Sequence, residues 1–168
     1  MRRADARVGV FLLEGFQELE FWYPVLRLRE EGVPVTVIGA DTETTAFSKL
    51  GYPVVAEAAF ERIPPEINVL VVPGTTTPLT SGKAAVIAAL KSTRPALLAA
   101  TGASVQLVGE AGLLRGVQVA APASSAATLR ELGANPADRA VCIDRNVVTA
   151  RGVDDMPEFF KTLLAALG

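Results

Sequence analysis

The chain has no histidine and only one cysteine, Cys142, in 168 residues. Without histidine, neither a serine–histidine nor a cysteine–histidine triad can be assembled within it. Histidine-ligated zinc, iron or copper is excluded for the same reason. A single cysteine rules out an internal disulfide and most cysteine metal sites. Proton transfer near neutral pH is left to a carboxylate, a lysine, a tyrosine, the lone thiol or water. Excess charge is also missing. The formal net charge is −2 and the basic residues are scattered, so nothing favours a nucleic-acid partner. No apolar run reaches the roughly 18–20 residues of a membrane span, and the opening MRRADAR has no apolar signal core. The expectation is a cytoplasmic protein with neither nucleic acid nor membrane as partner.

Half of the residues are hydrophobic, enough for one domain with a sizeable core. No repeat, linker or second domain is visible. Continuous apolar runs at residues 7–13, 34–40, 68–72 and 95–100 read as buried parallel strands. Residues 51–56 read as an edge strand, and 117–121, 140–143 and 146–150 as further strands. Helical patterns over 17–31, 81–91, 101–111, 124–132 and 155–167 alternate with them. Leu19, Trp22, Val25, Leu26 and Tyr23 are expected to form the buried stripe of the first helix, and Thr80 or Ser81 to cap the second. Alternation of this kind means α/β architecture: a mostly parallel, doubly wound sheet sandwiched by helices. Ligands then bind at the carboxyl ends of the strands. Those ends carry Glu14-Gly15, Pro73-Gly74-Thr75, Ala100-Thr101 and Arg151-Gly152.

The stretch Pro95–Leu107, PALLAATGASVQL, stands out among them. It reads as a strand that breaks sharply into a helix, with the turn at Ala100-Thr101-Gly102. Free backbone N–H groups and the positive dipole end converge at such a junction. Many α/β enzymes seat a nucleophile there. The residue expected at the turn is Ala100, which has none.

The rim residues carry a resemblance. Glu14 to Pro24 (EGFQELEFWYP), Val71-Val72-Pro73-Gly74, Leu98 to Gly102, Gly109 to Gly116 (GEAGLLRG) and Val148 to Gly152 (VTARG) resemble, in order, the motifs of the ThiJ/PfpI (DJ-one) superfamily. The resemblance covers nearly the whole chain. It implies a flavodoxin-like single domain, related to the class I glutamine-amidotransferase fold, and a homodimer or larger homo-oligomer. Enzymes of the superfamily use no cofactor. They place a cysteine at the elbow, close to a carboxylate from the first motif. By position that carboxylate is Glu20 and the cysteine's place is Ala100. Thr101-Gly102 is similar to the isonitrile-hydratase-like branch. Thr75 replaces a glycine common in the oxyanion loop.

The candidate site is therefore Glu20 as acid or base and Ala100 at the nucleophile's position, with Gly74, Thr75, Thr101, Gly102 and Arg151 around a small-molecule ligand. No metal is expected. Thr101 has two roles open, lining the pocket or capping the helix; Arg151 either reaches the rim or holds a carboxylate in an ion pair. Thr76 and Thr77 read as solvated loop, and Cys142 as a small buried hydrophobe. Loss of the nucleophile favours a protein that acts by binding: small-molecule sensing, partner binding or a chaperone-like stress role. The alternatives are a cofactor-free hydratase, lyase or isomerase using Glu20 and water, or a thiol enzyme (isonitrile hydratase, glyoxalase/deglycase or protease-like) in which alanine has been substituted for cysteine.

Overall fold

The computed structural model describes residues 2–76, 79 and 82–168. Its centre is a seven-stranded sheet. The strands are β1 (Val8–Phe11), β2 (Val35–Gly39), β5 (Ala58–Ala59), β6 (Val69–Val72), β7 (Leu97–Thr101), β10 (Val141–Asp144) and β11 (Val147–Ala150). Their order is β10-β11-β7-β6-β1-β2-β5. Every pairing in it is parallel except β10 with β11. β1, β6 and β7 are buried at every position, as their unbroken apolar runs require.

Two helices, α1 (Glu18–Glu30) and α5 (Met156–Leu167), cover one face. Their Phe21, Val25, Leu28, Phe159 and Leu163 pack on Val8, Val10, Val71 and Ala99. The other face is covered by α2 (Lys83–Thr93), α3 (Ser104–Glu110) and α4 (Ala126–Glu131), over Phe11, Leu70, Val72, Leu98 and Ala100. The fold is thus the doubly wound, mostly parallel sandwich expected. The expected cap at Thr80 or Ser81 lies outside the described residues, as does Thr77.

Short elements differ from expectation. Residues 41–49 contain a strand, β3 (Thr45–Phe47), which forms an antiparallel hairpin with β4 (Pro53–Val55) beside the main sheet. The strand expected at 117–121 shrinks to β8 (Gln118–Val119) and pairs with β9 (Asn135–Pro136) in a separate two-stranded sheet beside β10. Strands of two or three residues have no periodicity to read.

The stripe of α1 is also rotated. Leu19 and Leu26 are 56% and 58% exposed, while Phe21, Pro24, Val25 and Leu28 are buried. Phe21, Val25 and Leu28 follow the i, i+4, i+7 spacing of a helical face. Glu20 and Pro24 share the flank of that face, so the carboxylate is carried inward with the proline.

Candidate functional site

Glu20 stands at the third position of α1. Gln17 is the N-cap and its side-chain oxygen accepts the Glu20 N–H at 2.9 Å. A glutamate there often turns back to the cap. This one turns into the protein and is only 5% exposed. Its Oε2 accepts the Gly74 N–H at 2.9 Å and the Thr101 hydroxyl at 2.5 Å. The same Gly74 N–H also reaches Thr101 Oγ1 at 3.1 Å. The Gly74 carbonyl in turn accepts from Gln17 N–H at 2.9 Å. One end of α1 is thus tied to the ends of β6 and β7. A Cβ built on Gly74 would lie 2.3 Å from Glu20 Oε2 and 3.1 Å from the Thr101 carbonyl oxygen, so a side chain there would displace the carboxyl group.

Strand alternation decides which residues of β7 join this knot. Successive side chains point to opposite faces. Leu97 and Ala99 face α1 and α5, whereas Leu98 and Ala100 face α2 and α3. Thr101 follows on the α1 side and meets Glu20. The expectation for Ala100 is overturned here. It is wholly buried within β7, in register with Val72 and Thr149, and its methyl packs on the far side of the sheet from Glu20. Substitution of a cysteine by alanine at this position therefore explains nothing about the site. The strand continues through Thr101 because Thr101 pairs with Ala150 of β11. Thr101 consequently caps no helix: α3 starts at Ser104, with Ala103 before it.

The turn itself is Gly102, with φ of 56° in the left-handed region that glycine adopts without strain. A Cβ built on Gly102 would meet Glu20 Oε2 at 2.9 Å and Oε1 at 3.2 Å. The chain therefore passes its bare backbone against the carboxyl group.

Glu20, Thr75, Gly102 and Arg151 line one open cleft of about 450 Å³, together with Gly152 and Asp154. Four of the predicted site residues are thereby brought together. Gly74 and Thr101 stand behind Glu20 and act on it; Ala100 is not part of the site. Arg151 fills both roles considered for it. It borders the cleft, and its guanidinium pairs two-pronged with Asp155 at 3.1 and 3.2 Å. Asp155 precedes α5 without making a side-chain cap. Pro122 and Asp154 on the rim were not expected; no local pattern marks them, since only the fold brings them there.

Burial pushes the Glu20 carboxyl above its ordinary value of 4.5, and the bonds from Thr101 and Gly74 pull against that rise. Both described hydrogen bonds end on Oε2. Oε1 lies toward Gly102 and Gly152, where the cleft opens. Cys142 is buried in β10, paired with Thr149 of β11 and absent from this lining, and burial raises its thiol. Among the described residues, no group of three or more Cys, Asp or Glu side chains is placed to hold a metal ion. Nor is any described helix long and apolar enough to cross a membrane.

The model of the DJ-1/PfpI family matches residues 6–166, nearly the entire sequence. The chain belongs to the DJ-1/PfpI family. An uncharacterized protein of Archaeoglobus fulgidus is 32% identical over 167 residues, 96% of this chain and 98% of its own. A deglycase of Thermococcus kodakarensis is 30% identical over 172 residues, 94% of this chain and 99% of its own. Among solved structures, a two-domain protein of Anabaena variabilis with DJ-1/ThiJ/PfpI-like and ferritin-like domains superposes with a TM-score of 0.89 at 24% identity. That match covers 97% of this chain and 48% of the larger one, and it shows the DJ-1/PfpI fold alone.

Proposed function

We propose that this DJ-1/PfpI protein works without a thiol nucleophile and holds a small polar molecule in the Glu20–Arg151 cleft. Gly102, which we read as standing at the seat of the family's cysteine, offers no side chain, and Cys142 is buried elsewhere. One observation carries the reading: the Glu20 carboxyl is anchored through Oε2 and turns Oε1 toward the cleft. When protonated, Oε1 donates to a carbonyl or similar acceptor of the ligand; when ionised, it accepts from an N–H or O–H. The Arg151 guanidinium is the one cation among the described lining residues and is paired with Asp155 at the rim, where Asp154 also stands. This is a binding role of the sensor or partner-binding kind.

A second reading is favoured by the raised carboxyl. A carboxyl raised above its ordinary value by burial suits acid/base work on a bound molecule, through water and without a covalent intermediate. Two relatives carry the name deglycase, so deglycation and methylglyoxal turnover are the activities to assay. The binding reading expects no turnover. Activity that survives iodoacetamide and disappears in Glu20→Gln supports acid/base catalysis instead. Activity abolished by iodoacetamide sinks both.

The homo-oligomer implied by the resemblance is proposed as well. Leu19 and Leu26 of α1, and Leu50 and Tyr52 of the β3–β4 hairpin, leave apolar surface outward, with Trp22 and Tyr52 in edge contact between the two elements. A second copy of the chain is the proposed occupant of that surface.

A further inference from the structure

A second crevice opens at the carboxyl ends of β1 and β2, on the side of the sheet covered by α2. Its volume is about 280 Å³, room for about nine water molecules at the ~30 Å³ each takes in the liquid. The walls are apolar. Leu12, Leu13, Phe60 and Val86 are all buried side chains that border it. Small residues keep it open: Ala46, Ala56 and Ala85 stand where longer side chains would fill it.

The mouth has one sign of charge. Glu14, Asp41 and Glu61 all line it, and none of the described lining residues is lysine or arginine. Two of these carboxylates are fixed by their own loops. Glu14 accepts the Phe47 N–H at 3.1 Å. Asp41 accepts the N–H groups of Glu43 and Thr44 at 2.8 and 2.6 Å, and the Thr44 hydroxyl at 2.8 Å. The bonds from the Thr44 and Glu43 N–H groups hold the Asp41 carboxyl below its ordinary value. A ligand that suits both parts has an apolar body and a single cationic end. An anion meets three like charges, and a fully polar cation leaves the apolar wall uncovered.

We propose that the crevice between β1, β2 and α2 binds a small hydrophobic ammonium ion, its apolar body against Leu12, Leu13 and Phe60 and its charge at the rim that carries Glu14, Asp41 and Glu61. Phe60 is the one aromatic ring in the described lining, and a cation is attracted to the face of such a ring. This crevice is separate from the Glu20 cleft; the two share no lining residue.

The test is an amide NMR titration of the full chain with three probes of about the same size: phenethylammonium, neutral 2-phenylethanol and phenylacetate. Phenethylammonium should shift amides around Leu12, Ala46 and Phe60, and bind at least tenfold tighter than the alcohol, with phenylacetate weakest. Ala85→Phe, at the exposed mouth, should weaken the ammonium tenfold or more. Glu61→Gln should weaken it about threefold while leaving 2-phenylethanol unchanged. Equal binding of alcohol and ammonium overturns the proposal, as does insensitivity to Ala85→Phe, the absence of shifts up to tens of millimolar, or shifts confined to the Glu20 cleft. Glu20→Gln should leave this titration unchanged, so failure here is distinguishable from failure of the Glu20 reading.

Discussion

Glu20, at the start of α1, and Thr101, at the end of β7, are joined by a hydrogen bond of 2.5 Å across 81 positions of sequence. With the Gly74 N–H they form a closed knot under the cleft. Its strength is open to measurement, because Glu20 and Thr101 can each be substituted.

Thr101→Val keeps the shape of the side chain and removes the hydroxyl. Net loss of stability should be about 1–3 kcal/mol, since a buried carboxyl loses a partner. The Thr101 bond lowers the Glu20 pKa, so its removal should raise it further. Denaturant midpoints report the first effect, and a carboxyl carbon NMR titration the second. A Glu20 pKa that falls in the variant would contradict the knot.

Stability should also depend on pH through Glu20. Its carboxyl is raised in the folded state above an ordinary value of 4.5. The folded protein therefore holds this proton more tightly than the unfolded chain does. The stabilisation is fully present below the unfolded value and is lost as pH rises through the folded one. Glu20→Gln removes the dependence. Its stability relative to the natural protein should rise from about pH 4.5 upward, by ~1.4 kcal/mol for each unit of pKa difference. Melting temperatures of both proteins across pH 4–8 check this; parallel curves would refute it.

Two cysteine substitutions distinguish the turn from the strand. In Ala100→Cys the thiol should face the α2 side of the sheet, buried, and resist iodoacetamide in the folded protein, as Cys142 should. In Gly102→Cys the thiol should stand at the cleft and be alkylated. The second substitution also meets a positive φ and a carboxyl 2.9 Å from its Cβ, so it should cost at least ~1–2 kcal/mol. Mass spectrometry after brief alkylation gives the answer. Fast labelling at Ala100→Cys would mean that the junction lies two residues earlier.

The proposed self-association predicts a dimer or larger assembly in sedimentation velocity. Leu19→Glu with Leu26→Glu changes side chains already more than half exposed. The pair should leave monomer stability within about 0.5 kcal/mol and shift the sedimentation coefficient to that of one chain. A natural protein that sediments as a monomer at all concentrations would remove the proposal.

Much of this was legible before any coordinates. β1, β2, β6 and β7 announce themselves because strands covered on both faces need continuous apolar runs. Glu20 and Arg151 fall at carboxyl ends or the helices next to them, where a parallel sheet places its ligands. The stripe of α1 was misread because apolar residues occupy more than one face of that helix, and only the packing partner selects between them. The turn expected over residues 100–102 contracts to Gly102 for a related reason. Thr-Gly reads as a turn in isolation, but pairing with Ala150 carries the strand through Thr101.

By itself the sequence determined the layered architecture, the absence of any histidine-dependent chemistry and the presence of an acid near the strand ends. Those follow from composition and local pattern, which are properties of short stretches. Only the tertiary structure decided that Ala100 faces away from the cleft, that Gly102 forms the turn and that Gly74 and Thr101 hold the carboxyl. Each depends on register between strands distant in sequence, and moving one residue along a strand reverses the face its side chain meets.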